Sequence, residues 1–547
     1  MSDEIELITE AQTGFRKGYG TTDNIFTLYA LFSIYQSLGK KLYCTFVDFS
    51  KAFDSISRAA LWVKLQNADI NGKILKVIHN LYDNVKSCVR NNQEYSAFFR
   101  CDIGVRQGEN LSPFLFALYL NDLEKFFIQN DINSLEKVET LCVDNLHIYI
   151  KIFALLYADD TIILAETPES LQNALNSFEN YCTRWKLKVN LNKTKVVIFC
   201  KRKSRHIQSF KLFGHALDIV DSYSYLGVTF NYTGTFLKDK KLKSEQAQKA
   251  LFSLYRKLRN ISVPVDLQLK LFDTLILPIL TYGCEVWGYE NVQVLEKIHL
   301  QFCRNILEIR TSTLNFMSYG EIGRAPIDVV INVRMISFWN KLLTYNQKLS
   351  SILYRIMYML SQRENVNFKW INHIKSIFDN VGLSYVWNQQ NPIHLVELKL
   401  TVKQKLTDQF IQKWYNLIAT SSRGNLYGQF KMEFKLENYL LKLSPNERAL
   451  ITKLRCCNLK IPVETGRWVN IPREERICHL CHNDIGSEYH YIFECSFPNV
   501  VDIRKKHIPS YYTKYPNFQK MIGLLSLCNV PVLKNLSLFI SKLRKYL

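Results

Sequence analysis

Residues 152–165 read IFALLYADDTIILA, two short apolar runs on either side of Ala158, Asp159 and Asp160. Runs of this length, broken once by small and acidic residues, predict two buried strands joined by a tight turn with both acids at its tip. Upstream, residues 42–49 (LYCTFVDF) are rich in aromatic and β-branched types and break at Ser50, which predicts another buried strand ending at Asp48. Between these strands, residues 111–126 carry apolar side chains at helical spacing, and Ser112-Pro113 suits a first helical turn. Downstream, Thr167-Pro168-Glu169 marks a helix start ahead of Leu171, Leu175, Phe178, Cys182 and Trp185, which share one face. Residues 195–200 (KVVIFC) then return as a strand. The order β-α-β-β-α-β is that of the ferredoxin-like split βαβ sheet, so the class is α+β. In that order the strand ending at Asp48 lies beside the hairpin, and Asp48, Asp159 and Asp160 are expected to converge at one edge of the sheet.

The chain has 547 residues, 47% apolar and 22% charged, a globular balance that excludes wholesale disorder. Lys and Arg number 70 against 49 acids, a formal net charge of +21, and such an excess suits contact with a polyanion, nucleic acid first. No run of about 18 uncharged apolar residues occurs, which argues against a membrane span. The opening MSDEIE is acidic with no apolar stretch behind it, so no secretory signal is expected. Fourteen cysteines in such a chain point to reduced thiols and metal binding, and to an intracellular setting, nucleus and/or cytoplasm. Beyond residue 231 the pattern turns helical, with long stretches expected near 237–260, 265–284 and 292–309 and more helix to about 450. The basic cluster at 201–205 (KRKSR) reads first as a solvated loop and second as a nuclear signal.

Carboxylates crowded together repel unless a cation compensates them. Hard oxygen donors select Mg²⁺, which uses few carboxylates together with waters and substrate phosphates. Two such ions activate an attacking hydroxyl and stabilise a leaving pyrophosphate. Taken singly, an Asp-Asp pair at a turn is ordinary turn chemistry, and an Asp closing a strand is equally common.

The neighbouring residues change that weighing, because the chain resembles the reverse transcriptases of non-LTR (LINE-type) retrotransposons over about its first 230 residues. Residues 10–17 (EAQTGFRK) resemble the family's second fingers motif, and 46–54 (FVDFSKAFD) its motif A. Residues 104–108 (GVRQG) with 111–113 (LSP) resemble motif B, and 157–160 (YADD) match motif C. Trp185, Leu187, Asn190 and Lys193-Thr194-Lys195 resemble motif D, and Tyr225-Leu226-Gly227 the primer-grip hairpin. The resemblance implies a right-hand polymerase palm with partial fingers, in which Asp48, Asp159 and Asp160 hold two catalytic Mg²⁺ ions. It implies that Phe53 is the steric gate selecting deoxynucleotides, although a lone phenylalanine is more often plain core. Gln107 and Gly108 would lie by the nascent base pair, where a backbone without a side chain permits close approach. Lys193 is a candidate proton donor to pyrophosphate, or only a charge beside the phosphates, and Arg16 a candidate triphosphate contact. Template RNA, primer or target DNA and dNTPs would be the partners, and no membrane.

After these motifs, Lys249, Arg256, Lys257 and Arg259 alternate with Leu251, Leu254, Tyr255 and Leu258. The position resembles a thumb whose basic face neutralises duplex phosphates; the ordinary reading is an amphipathic helix. Residues 282–288 (YGCEVWG) also resemble a family segment, with no mechanism beyond packing. Near the C-terminus, Cys478, Cys481, His490 and Cys495 form a C-x2-C-x8-H-x4-C set suited to one structural Zn²⁺, with His479 and His482 competing as the fourth ligand and buried free thiols as the alternative. Arg467-Trp468 before it also fits the resemblance, and nearby Arg473, Arg476, Lys505 and Lys506 would let it hold RNA or target DNA. The expected domains are 1–230 (partial fingers and palm), 231–330 (helical thumb), 331–450 (helical connection) and 451–547 (zinc module). The sequence starts at the second fingers motif, and neither an apurinic-type nor a restriction-type endonuclease pattern is recognisable, so an amino-terminally truncated element is expected. The competing readings are a catalytically silent nucleic-acid-binding remnant and an unrelated Mg²⁺ phosphohydrolase, which gives no reason for motif B.

Overall fold

Strand β1 (Leu42–Val47) is buried along its whole length, the mark of a strand covered on both faces. In the computed structural model, which describes residues 8–106, 108–133, 135, 154–202, 209–363, 366–526 and 529–547, β1 is central to a six-stranded sheet. Gln107, residues 152–153 and residues 203–205 of the basic cluster lie outside the described residues. After β1 come two short ribbons, in which β2 (Lys86–Ser87) pairs with β5 (Phe99–Arg100) and β3 (Arg90–Asn91) with β4 (Glu94–Tyr95). The predicted hairpin is β6 (Ala154–Tyr157) and β7 (Asp160–Ala165), and the returning strand is β8 (Lys195–Phe199). Strands β9 (Phe210–Leu212) and β10 (His215–Ile219) extend the sheet, giving the order β6-β7-β1-β8-β10-β9. Its first four strands are mutually antiparallel neighbours in split βαβ order, while β10 runs parallel to β8. A separate hairpin, β11 (Ser222–Tyr225) with β12 (Val228–Asn231), follows.

Helices α1 (Thr21–Ser37), α2 (Ala52–Ser55), α3 (Arg58–Asn67), α4 (Gly72–Asp83), α5 (Leu111–Leu120), α6 (Leu123–Gln129) and α7 (Pro168–Trp185) surround the sheet. Thr167 caps α7 by accepting the Ser170 amide at 3.1 Å, Pro168 fills the first turn, and the predicted face from Leu171 to Trp185 is buried. The apolar run 111–126 is two helices rather than one. At the break, the Asn121 side chain accepts the Thr9 amide at 2.8 Å, and the Asp122 carboxylate takes Lys64 Nζ and the Tyr181 hydroxyl. Polar side chains turned to those partners interrupt the helix.

Packing separates two compact units that are interleaved along the chain. The first comprises residues 1–239, 282–290 and 334–395; the second 240–281, 291–333 and 396–547. Helix α1 supplies a reason for the interleaving within the first unit. Its sequence is apolar nearly all round, as an enclosed helix requires. Phe32 stacks on Phe199 of the sheet at 5.1 Å, whereas Phe26 meets Phe338 and Trp370 at 5.3 and 5.0 Å. Without residues 334–395 half of α1 would face water. In the second unit, α8 (Leu237–Leu258), which begins in the first, buries Leu251 and Leu254 and exposes Lys249, Arg256, Lys257 and Arg259. Among the described residues no single helix is long and apolar enough to cross a membrane.

Candidate active site

Strand pairing delivers the carboxylates. Val47 of β1 stands opposite Thr161 of β7, so one step further Asp48 stands beside Asp160, at the mouth of the Ala158-Asp159 turn. Antiparallel partners lie about 5 Å apart at Cα. Burial, then the charges of Asp159 and Asp48, push the Asp160 carboxyl from 3.8 to about 6. The Asp159 carboxyl is raised too, by burial first and by the charge of Asp48, against a lowering backbone hydrogen bond. The three acids thus share one electrostatic neighbourhood, and a divalent cation would relieve their repulsion. The donor set is all carboxylate oxygen, which fits Mg²⁺.

The predicted motif D segment folds across Asp48. Its carbonyl accepts the Asn190 amide at 2.7 Å, its amide donates to the Thr194 hydroxyl at 3.3 Å, and Phe49 bridges to Val189. Lys193 Nζ lies 3.8 Å from Asp48 Oδ2 on a largely exposed side chain. Phe53, on α2, is half-buried with its ring 5.1 Å from that of Phe116. The motif B backbone docks here: the Phe53 carbonyl accepts the Val105 amide and the Ile56 carbonyl the Gly104 amide, both at 2.8 Å. Gly104 has φ +79°, and a Cβ there would stand 2.7 Å from the Asp54 carbonyl oxygen, so only glycine fits. Gly108, at φ +91°, has open space about it. A groove of about 960 Å³ beside these segments, not at the carboxylates themselves, is lined by Arg58, Arg100 and Arg106 with Asp54 and Asp102.

Three contributors carry no role in the sequence reading. Gln12 is wholly buried and clamps the turn from below. Its Oε1 accepts the amides of Ala158 and Gly14, each at 3.0 Å, and its Nε2 faces the Ala158 carbonyl at 3.4 Å. Gly14 lies so close to the turn that a Cβ would stand 2.4 Å from the Ala158 nitrogen. Tyr223 stacks on Phe46 at 4.4 Å, and burial followed by the charges of Asp160 and Asp48 pushes its hydroxyl up to about 12. Tyr282, in the segment 282–288, donates from its hydroxyl to the Leu226 carbonyl at 2.9 Å and so braces the β11–β12 hairpin. Arg16, the candidate triphosphate contact, has its guanidinium on the Thr9 carbonyl (3.0 Å) and the Glu10 carboxylate (3.2 Å), 4.4 Å above the Tyr19 ring.

In the second unit, Cys478, Cys481, His490 and Cys495 each present a donor atom within 4.8 Å of the others, and His479 and His482 are not in the group. Cys478 and Cys495 sulfurs are 3.9 Å apart, and Cys481 Sγ is 3.2 Å from His490 Nε2. These spacings fit a tetrahedral Zn²⁺ with bonds of about 2.0–2.3 Å. The Leu480 amide points at Cys478 Sγ (3.4 Å), and Arg504 holds the Cys495 carbonyl at 2.8 Å, an outer shell that fixes the loop. Lys505 and Lys506 beside it are exposed, whereas Arg476 is tied to the Ile471 and Val463 carbonyls.

The family described as reverse transcriptase (RNA-dependent DNA polymerase) matches residues 1–230. A probable RNA-directed DNA polymerase from transposon BS of Drosophila melanogaster is 28% identical over 54% of this chain and 32% of its own length. The RNA-directed DNA polymerase from mobile element jockey of Drosophila funebris is 25% identical over 55% of this chain and 32% of its own. A Pol polyprotein from type-1 retrotransposable element R2 of Nasonia vitripennis is 28% identical over 42% and 22%. The chain spans about a third of the length of the first two relatives. Among solved structures, a telomerase from Candida tropicalis is similar at 15% identity and a TM-score of 0.29, over 69% of this chain and 56% of that one. Residues 1–230 match the reverse transcriptase family, and the chain is similar to RNA-directed DNA polymerases of transposons and other mobile elements.

Proposed function

We propose that this chain extends a DNA 3′-hydroxyl on an RNA template, taking dNTPs and releasing pyrophosphate. The observation that carries the reading is the meeting of Asp48, Asp159 and Asp160 at one sheet edge inside the reverse transcriptase domain. In this reading the sheet with α5 and α7 is the palm, the segments before β1 belong to the fingers, and the basic face of α8 is the thumb surface that meets duplex phosphates. Mg²⁺ bound by the three aspartates would supply charge neutralisation for the attacking and leaving oxygens. The chain's own residues do the rest. Phe53 sets the floor under the incoming sugar, Gly108 leaves room for the base pair, and Lys193, near Asp48, is placed to give a proton to departing pyrophosphate. The cysteine–histidine set holds one structural Zn²⁺, and exposed Lys505 and Lys506 beside it add a site for RNA or target DNA. The reaction takes place inside the cell, in nucleus and/or cytoplasm, in keeping with the cysteine usage.

The test is extension of oligo(dT) on poly(rA) with Mg²⁺ and dTTP. Incorporation that disappears in Asp159→Asn supports the polymerase. Template binding without extension by the unmodified chain rejects it in favour of a silent binding remnant.

A further inference from the structure

Behind the zinc loop, in the same unit, Cys457, Glu464 and Glu488 are all buried, and each presents a donor atom within 4.8 Å of the other two. They come from three separate stretches. Cys457 follows the helix Pro445–Arg455 in a left-handed conformation (φ 49°), Glu464 sits in the short helix Pro462–Thr465, and Glu488 lies two residues before His490. None of the three belongs to the Cys478, Cys481, His490 and Cys495 set.

Glu488 Oε1 is fully enclosed and has no hydrogen-bond partner among the described residues. An enclosed acceptor without a donor is costly, and native folds fill such positions with a donor, a water or an ion. Glu464 differs, since Arg467 Nη1 lies 3.5 Å from its Oε1 and Arg423 Nε 3.7 Å from its Oε2. Those guanidiniums orient Glu464 and offset its charge, whereas Glu488 Oε1 has no such partner among the described residues. A cavity of about 280 Å³ adjoins the cluster, with Arg423, Arg467 and Met521 on its wall.

We propose that Cys457, Glu464 and Glu488 form a second cation site of the zinc class, built from one sulfur and two oxygen donors with its open position toward that cavity. Mixed thiolate and carboxylate donors favour a borderline ion over Mg²⁺ or Ca²⁺. Zinc ligands stand roughly 3–4 Å apart given bonds of about 2.0–2.3 Å, so a shift of under about 1 Å closes the set. The ion fastens the segment carrying His490 to the helix before Cys457, which couples the Cys478–Cys495 loop to the body of its unit.

The test is the zinc content of the purified full chain, by elemental mass spectrometry after dialysis against buffered zinc. Two ions per chain are expected, falling to one in Glu488→Gln and to one in Cys478→Ser with Cys481→Ser. One ion or none in the unmodified chain, or two retained in Glu488→Gln, overturns the proposal and leaves a carboxyl pair sharing a proton. Should Glu488→Gln unfold, cobalt substitution decides. The Cys478→Ser, Cys481→Ser chain is expected to keep a thiolate–cobalt absorption band that disappears on adding Cys457→Ser, and no such band before that change also overturns it.

Discussion

Replacing Gln12 with alanine removes the side chain that holds the carboxylate turn from below. Two enclosed amides, those of Ala158 and Gly14, lose their shared acceptor. Each orphaned amide costs about 1–3 kcal/mol, so the fold loses about 2–6 kcal/mol if the turn stays in place. That is a large share of a typical stability of about 5–15 kcal/mol. The turn can recover part of the loss by moving, but movement displaces Asp159 and Asp160, and a shift of about 1 Å costs roughly 100-fold in turnover. The expected outcome is a Tm lower by roughly 3–9 °C, kcat down roughly 100-fold, and a higher Mg²⁺ requirement. Gln12→Met separates the two effects, because methionine keeps the length and fills the space without accepting a hydrogen bond. Extension assays over a Mg²⁺ titration, beside thermal melts, provide the comparison. If Gln12→Met keeps kcat and Mg²⁺ dependence within about twofold of the unmodified chain while Asp159→Asn is inactive, the clamp does not position the turn.

Phe53→Ala opens the space beside Phe116 and is expected to raise ribonucleotide use by roughly 10–200-fold relative to dNTPs, the range a steric pocket discriminates; unchanged selectivity in competition assays removes Phe53 from the gate. Asp160 titrates near 6, facing Asp159, Asp48, Lys193 and Tyr223, so the Mg²⁺ needed for half-maximal extension should rise about tenfold per pH unit below that value. The same raised carboxyl has the opposite effect on the metal-free fold: it holds its proton more tightly than the unfolded chain, so metal-free stability gains as pH falls from 6 toward 4, and a melt series in chelator checks the sign. Cys478→Ser with Cys481→Ser should release the zinc of the Cys478–Cys495 loop and lower the melting temperature of the second unit; full zinc retention would mean the ligands are elsewhere.

The hairpin with its two acids is legible in the sequence because strand, turn and strand are local and their apolar runs are short and bounded. Asp48 is legible by analogy of pattern, and the sheet order follows from counting alternating elements. What the sequence withholds is long-range. Gln12 stands 146 residues from Ala158, and nothing in EAQTGFRK marks the glutamine rather than the arginine as the residue that reaches the turn. The arginine draws attention because it is charged, yet its guanidinium closes on its own loop. The all-round apolar character of α1 signals enclosure but not that residues 334–395 supply it, and YGCEVWG is recognisable without revealing that Tyr282 reaches back to Leu226. Helix 111–126 breaks where Asn121 and Asp122 find distant partners, a choice that local spacing cannot contain.

Two acid clusters in this protein show how a candidate ligand site differs from a structural one. Glu321 is wholly buried, and its two oxygens are taken up by Arg455, at 3.0 Å, and by the Tyr439 hydroxyl at 2.6 Å. Burial raises its carboxyl, but Arg455 and Lys431 outweigh burial, and it titrates below the ordinary value. Asp160 moves the other way, raised by burial and by its fellow acids. The difference lies in what holds each residue. Asp48 is fixed through its main-chain amide and carbonyl, by Thr194 and Asn190, and the turn before Asp160 through the backbone of Ala158, by Gln12. Tethers on the main chain place the carboxylates without using their lone pairs, and the nearby cation Lys193 stands at 3.8 Å on an exposed chain that can swing away. A cluster built for stability would neutralise its acids, as Glu321 is neutralised. One that leaves repulsion in place and the oxygens available has its charge reserved for a ligand, and a pair of divalent ions with a triphosphate is the ligand that three converging carboxylates suit.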